Sequence, residues 1–234
     1  METLVPGRMV RAGLLLLPLL LCFGLRDCQT AINLTALRDI VDHVDKYGFT
    51  TEYAFAVSLN KSYCQNATDI KAVLPLDELR AMQAAINEGD RLYNPSQGNI
   101  VAAAVPNKPR EHAERRLLQG DQDSPVSKLL ARTSRENNNN ICLIFFTLNS
   151  PCVGKCLNDK TQYNILQPVS DIFGSIRDNY KAFVFQKIWY ERNETRESLL
   201  KAWHQMKNVP LYRCDNTGCK DCFGNNPDAC MYGM

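Results

Sequence analysis

The sequence predicts an α/β sandwich in which helices cover a largely buried sheet. Segments with helical spacing of apolar residues alternate along the chain with segments of strand character, an order typical of α/β domains. Residues 141–148 form an apolar run without alternation, so we expect a strand buried on both faces. The 234 residues, 45% hydrophobic and 22% charged, suffice for a sizeable core and exclude a disordered or fibrous chain.

The period of the apolar residues places the individual elements. Leu37, Ile40 and Val44 recur three and four positions apart and predict a helix, whereas Tyr53, Phe55 and Val57 alternate and predict a strand. The first helix should cover 30–47, and we expect further helices at 77–87, 110–118, 127–132, 169–176 and 199–206. Another helix should begin at Pro151, because proline suits the first helical turn. We expect strands at 53–59, 99–105, 141–148 and 182–190.

The N-terminal residues predict export. Arg8 and Arg11 precede a short apolar run at 14–23, which is typical of a secretory signal peptide spanning 1–24. An uncleaved anchor is the alternative, but the run is shorter than the about 20 residues that span a bilayer. No later segment is long and apolar enough to span, so we expect no stable membrane association. One domain at 25–212 and a cysteine-dense tail at 213–234 would remain.

Glycosylation signals and charge agree with a secreted, extracellular glycoprotein. Asn-x-Ser/Thr sequons begin at Asn33, Asn60, Asn66 and Asn193. Removing 1–24 would take away Glu2, Arg8 and Arg11, changing the formal net charge from +2 to +1. A charge so close to zero argues against a protein held to nucleic acid or membrane mainly by a bulk positive field.

Two short motifs together predict a metal-dependent enzyme. His112-Ala113-Glu114 follows one predicted strand, and Pro151-Cys152-Val153-Gly154-Lys155-Cys156 follows the most buried one. One imidazole and two thiolates are three protein ligands, which leaves the open fourth position of a catalytic Zn²⁺ site. Glu114 would then move a proton between water and substrate. Alone, the cysteine motif of a secreted chain would more often form a disulfide.

The paired motifs resemble the zinc-dependent cytidine deaminase superfamily, whose signature is His-x-Glu followed by Pro-Cys-x-x-Cys. Thr147-Leu148-Asn149-Ser150-Pro151-Cys152 and Ile188-Trp189-Tyr190 are similar to segments of its AID/APOBEC-like branch, and the predicted export signal is most similar to the secreted clade. Three departures are visible. Three residues separate the cysteines, Asn149 stands where the branch commonly has Trp, and the helix at 77–87 is inserted between the first two strands.

The resemblance implies a three-layer cytidine deaminase-like sandwich with a mixed sheet of about five strands flanked by helices. It also implies Zn²⁺ on His112, Cys152 and Cys156, with Glu114 as the proton shuttle. The expected reaction is hydrolysis of the amino group of cytosine in single-stranded nucleic acid or nucleosides. Ring choice depends on pocket shape, so a substrate other than cytosine stays an alternative.

Substrate contacts are expected from the same resemblance at Asn107, Trp189 and Tyr190. Asn107 could instead cap a turn, and the two aromatic residues could be core or rim residues. Arg110, Arg115 and Arg116 lie near the first motif, where they could bind phosphates locally. Asn193 lies in the loop that matches the substrate-selecting loop of this branch. A glycan there would crowd a nucleic-acid strand more than a nucleoside. No pattern indicates an oligomeric state.

The remaining cysteines predict disulfides. With the two zinc ligands set aside, and Cys142 set aside because it lies in the buried strand, six candidates remain: Cys28, Cys64, Cys214, Cys219, Cys222 and Cys230. A second, structural zinc in the tail is the alternative, because two residues separate Cys219 from Cys222. The competing function is a catalytically inactive binding glycoprotein on a deaminase-like scaffold, which predicts a Cys152–Cys156 disulfide.

Overall fold

The computed structural model describes residues 31–48, 52–107, 111–192 and 194–233. Within them, seven strands form one mixed sheet in the order β2-β3-β1-β4-β5-β6-β7. The strands are β1 Tyr53–Asn60, β2 Leu92–Tyr93, β3 Ile100–Ala104, β4 Ile141–Asn149, β5 Lys181–Lys187, β6 Leu211–Asp215 and β7 Gly218–Asp221. The helices are α1 Leu34–Asp45, α2 Ile70–Val73, α3 Leu76–Asn87, α4 Ala113–Leu118, α5 Pro125–Glu136, α6 Leu166–Gly174, α7 Arg196–Trp203 and α8 Pro227–Cys230.

The direction of the strands determines where the site can form. β1 runs antiparallel to both of its neighbours, β3 and β4, whereas β4, β5 and β6 are parallel. The carboxyl ends of β3, β4 and β5 therefore meet at one edge of the sheet, together with the start of β1. Ligand sites of α/β sheets commonly lie at this edge.

Helices cover both faces of the sheet, which confirms the three-layer α/β architecture. On one face, Tyr53 and Phe55 of β1 pack in a buried cluster with α1, α2 and α3. On the other face, Ala54 and Ala56 pack in a second cluster with α4 through α8. β4 is buried from Cys142 to Leu148, as its unbroken apolar run predicts.

The expected sheet of about five strands is too small, because a short strand is added at each edge. β2 has only two residues and β7 has four, all half-buried. Such strands carry too few residues for an alternating pattern to show. β7 also pairs with β6 inside the cysteine-dense tail, so the boundary expected at 212–213 falls within β6.

The helix expected from Pro151 is wrong, since turns occupy residues 153–157. The Cys156 N–H donates to Cys152 Sγ at 3.4 Å, and the Leu157 N–H donates to the Cys152 carbonyl at 3.0 Å. In an α-helix the Cys156 N–H would donate to the Cys152 carbonyl, but here it donates to the Cys152 sulfur instead. Two other boundaries are shorter than expected: β5 ends at Lys187, and α7 ends at Trp203.

The disulfides correct one cysteine assignment. Cys142, expected to stay free in its strand, is bonded to Cys64, and their Cα atoms lie 5.6 Å apart. Cys64 and Cys142 lie in the same buried cluster on one face of the sheet, so Cys142 can be both buried and disulfide-bonded. Tail disulfides join Cys214 to Cys219 and Cys222 to Cys230, which removes the alternative of a structural zinc there. Cys28 lies outside the described residues.

Two of the four sequons have exposed asparagines in the described structure. Asn33 and Asn66 are exposed, whereas Asn60 is half-buried and its Nδ2 donates to Asn137 Oδ1 at 3.2 Å. Asn193 and the predicted signal peptide lie outside the described residues. In the part of the chain that is described, no helix has the length and apolar character needed to cross a membrane.

Candidate active site and metal centre

Two chain segments bring the motif residues to the sheet edge where β3 and β4 end. His112 is the N-cap of α4, in an extended conformation after β3. Cys152 and Cys156 lie in the turn after β4, and Glu114 lies in the first turn of α4. Because β3 and β4 flank β1 and are parallel, residues 40 or more positions apart in the chain meet here.

The imidazole and both thiols are arranged as a set of metal ligands. His112 Nδ1 lies 3.2 Å from Cys156 Sγ and 3.8 Å from Cys152 Sγ, and the sulfurs are 3.5 Å apart. Tetrahedral Zn²⁺ with ordinary bond lengths requires about 3.8 Å between sulfurs and about 3.6 Å between sulfur and nitrogen. These three residues could hold a metal ion with one ligand position open. Both cysteines are free thiols, so the disulfide expected for an inactive scaffold is absent at this position.

Hydrogen bonds within the cluster shift the pKa values of all three ligand groups. Hydrogen bonds from Cys156 and His112 lower the pKa of Cys152 to about 4. The bond to Cys152 also raises the pKa of His112 to about 9, against the effect of burial. Donation to the Cys152 sulfur and burial raise the pKa of Cys156. A metal ion binding here would replace the protons of Cys156 and His112, since ligating thiols and imidazoles are deprotonated.

Glu114 has the environment of a proton-transfer group. Its side chain is buried, and its Oε1 accepts a hydrogen bond from Thr147 Oγ1 at 2.9 Å. Its Oε2 is buried without a hydrogen-bond partner among the described residues. Burial raises the Glu114 pKa to about 7, with a further contribution from the Glu52 carboxylate and an opposing one from His112. A carboxyl group with a pKa near neutrality can both accept and return a proton.

A cavity of about 150 Å³ opens beside these groups. Trp189 stands at its wall with 51% of its surface exposed, so it is not a core residue. Its backbone N–H donates to Ser150 Oγ at 2.9 Å, which ties the end of β5 to the end of β4. The described lining consists of Glu52, His112, Glu114, Asn149, Ser150, Cys152, Lys155, Trp189 and Glu191.

Comparison with known proteins agrees with this geometry. The family described as Secreted Novel AID/APOBEC-like Deaminase 1 matches residues 34–234, most of the chain. The chain belongs to this family. No curated protein and no solved structure matches it. The family description, together with the three disulfides, identifies a secreted protein. The matched residues begin at the first residue of α1 and include both motifs and the cysteine-dense tail.

The predicted site residues of this family member are partly brought together. His112, Glu114, Cys152 and Trp189 line one cavity, and Cys156 contacts the first and third of these. Tyr190 is half exposed, but it is not part of the described cavity lining. Asn107 is exposed and is likewise outside that lining, so its assignment to substrate binding remains a prediction.

Sequence reasoning missed Glu52, Thr147 and Lys155. Glu52 directly precedes β1, and its Oε1 lies 3.6 Å from His112 Nδ1. Burial raises the pKa of Glu52, whereas the nearby His112 lowers it. Glu52 reaches the site because β1 lies antiparallel between β3 and β4. That order of strands is not visible in the sequence, so no sequence signal identifies this residue.

Two of the arginines expected to bind phosphates are already engaged. Arg115 pairs with Glu111 and lies over the Tyr163 ring at 5.4 Å from its centre. Arg116 donates to three backbone carbonyls, those of Asp90, Arg91 and Ala104, at 2.6, 2.8 and 2.7 Å. Arg110 lies outside the described residues.

Proposed function

We propose that this protein is a secreted, zinc-dependent deaminase that hydrolyses the amino group of cytosine, in single-stranded nucleic acid or in nucleosides. The observation that carries the proposal is the open His112–Cys152–Cys156 ligand set beside the buried, half-partnered carboxyl group of Glu114. A structural zinc site would use four protein ligands and would not need an adjacent proton carrier. The proposal also agrees with membership of the deaminase family.

The zinc ion, when bound by these three residues, would supply a Lewis acid that lowers the pKa of a water molecule. Glu114 Oε2 then accepts a proton from water and delivers it to the ring nitrogen next to the amino-bearing carbon. A C–O bond forms at that carbon. Glu114 next helps to transfer a second proton to the amino group, the C–N bond breaks, and ammonia leaves. The balanced reaction is cytosine plus water giving uracil plus ammonia.

Thr147 and Trp189 support this chemistry. The hydroxyl of Thr147 holds Glu114 Oε1, which leaves Oε2 as the atom available for proton transfer. The half-exposed indole of Trp189 offers a flat surface at the cavity wall, on which a base can stack. Aromatic residues bind bases in this way in many nucleic-acid and nucleotide sites.

The test uses the full chain secreted from cultured cells. Native mass spectrometry with thiol alkylation should find one bound zinc ion. It should also find Cys152 and Cys156 outside any disulfide. Uracil formation should then be measured with cytidine and with a cytosine-containing single-stranded oligonucleotide. We expect Glu114→Gln to retain zinc and lose activity by a factor of about a hundred or more, the usual contribution of acid–base catalysis.

A matched control is Glu88→Gln, which removes one negative charge from an exposed residue outside the cavity lining. This variant should behave as the native protein does. Zinc-free protein with a Cys152–Cys156 bridge would contradict the proposal and favour the inactive binding glycoprotein. Equal activity of Glu114→Gln and native protein would also contradict it.

A further inference from the structure

We propose that the substrate of this site is a free nucleoside, and that Glu52 selects it by accepting hydrogen bonds from the sugar hydroxyls. The inference rests on the proposed function and narrows its substrate class. Glu52 and its neighbours disfavour phosphates, which excludes nucleotides and nucleic-acid strands as preferred substrates. Four features of the described residues support this: the charge of the cavity, the engagement of the arginines, the position of Glu52, and the exposed indole.

The cavity carries mainly negative side chains. Glu52, Glu114 and Glu191 line it, against Lys155 as the lysine of the described lining. Two thiolates would neutralise the charge of a bound Zn²⁺, and Glu114 is buried. Among the described lining residues, Glu52 and Glu191, against Lys155, therefore determine the charge at the entrance. Sites for single-stranded nucleic acid instead combine stacking aromatics with a positively charged groove that follows the backbone. A phosphate brought to this entrance would be repelled.

Arg115 and Arg116, the two arginines of the first motif region that the structure describes, do not reverse this charge. Arg115 is paired with Glu111, so that ion pair contributes no net charge. Arg116 directs its guanidinium N–H groups at backbone carbonyls of the β2–β3 region rather than at the cavity. A phosphate group would have to break these contacts before either side chain could bind it.

Glu52 is placed to accept hydroxyl groups. Its side chain is 30% exposed, and its Oε1 faces His112 Nδ1 at 3.6 Å. Among the described residues, no hydrogen-bond donor contacts its carboxylate. When Nδ1 serves as a metal ligand it carries no proton, so it donates no hydrogen bond to Glu52. A sugar offers O–H donors to such a carboxylate, whereas a phosphate dianion offers only more acceptors.

Trp189 supplies the remaining contact that a nucleoside needs. The indole is half exposed at the same cavity, so a base can stack while its sugar reaches Glu52. The neighbouring loop is held by the Glu191 N–H, which donates to Glu194 Oε2 at 2.7 Å. Glu191 itself lines the cavity, so a second carboxylate lies at the entrance.

The experiment compares three probes on zinc-loaded full chain: cytidine, cytidine 5′-monophosphate, and a cytosine-containing single-stranded DNA oligonucleotide. We expect kcat/KM for cytidine to exceed that for the other two by about tenfold or more, as close like charges require. Calorimetric binding of the same probes to zinc-loaded Glu114→Gln should show the same order without catalysis. Glu52→Gln should lower cytidine binding by about tenfold to a hundredfold and reduce the discrimination against the monophosphate.

The outcomes separate this inference from the proposed function. Faster deamination of the oligonucleotide than of cytidine would overturn the nucleoside assignment and leave the deaminase proposal intact. If no probe is deaminated, the deaminase proposal fails, and calorimetry with cytidine and its monophosphate still decides the preference. Loss of zinc in Glu52→Gln, with zinc retained in Glu88→Gln, would make Glu52 a fourth metal ligand and overturn its assignment to the sugar.

Discussion

Replacing Thr147 by Val should impair the proton-transfer group without disturbing the fold. The Thr147 hydroxyl donates to Glu114 Oε1 at 2.9 Å, and both residues are buried, so water does not replace the lost donor. A hydrogen bond to a charged group contributes about 1.5–3 kcal/mol. This bond lowers the Glu114 pKa, which burial has raised to about 7. Its loss therefore raises that pKa and leaves less carboxylate at neutral pH.

The pH dependence of deamination tests this expectation. The acid limb of the kcat/KM profile should move to higher pH by about one or two pH units. At pH 7 the rate should fall by about tenfold or more and recover partly as the pH rises. The control is Thr133→Val, a buried threonine that contacts Ser58 and the Leu129 carbonyl in α5. An unchanged profile for Thr147→Val, or an equal shift in both variants, would refute the reasoning.

Three further predictions concern stability, metal and substrate binding. Cys64→Ala with Cys142→Ala should lower the free energy of unfolding by about 4–5 kcal/mol, because this disulfide joins residues 78 positions apart. Removal of the Cys214–Cys219 disulfide, whose cysteines are 5 positions apart, should lower it by about 2 kcal/mol. Urea unfolding measures both losses, and equal losses would contradict the loop argument. Zinc removal by a chelator should abolish activity and lower the Tm, and added zinc should restore both; an unchanged Tm and activity would count against a resident metal. Trp189→Ala should weaken cytidine binding by about tenfold at an unchanged Tm, whereas Trp203→Ala, at a fully buried position, should cost about 3–5 kcal/mol of stability; the reverse pattern would exclude Trp189 as the stacking residue.

Local spacing predicted the core of the fold well. The apolar period placed α1, β1, α3, β3 and β4 within a few residues of their observed bounds. These elements have one or two buried faces, so their patterns record burial directly. The edge strands β2 and β7 were not predicted, because they are short and only half-buried.

Two errors had a common cause, since in each a sulfur made a contact that the local pattern did not show. The Cys152 sulfur accepts the Cys156 N–H and prevents the helix expected from Pro151. The Cys142 sulfur is bonded to Cys64, although its strand is buried on both faces. Neither contact can be read from the proline that suggested the helix or from the apolar run that suggested a free, buried Cys142.

The sequence by itself determined the chemistry of the site: one imidazole, two thiols and one carboxyl group in the segments that follow two strands. Those residues lie within two short motifs, so their types and order can be recognised without the fold. Only the tertiary structure decided what surrounds them. Thr147 reaches Glu114 across 33 positions, and Glu52 reaches His112 from the start of β1. Such contacts exist because strand order places distant segments side by side, and one-dimensional spacing carries no record of that order.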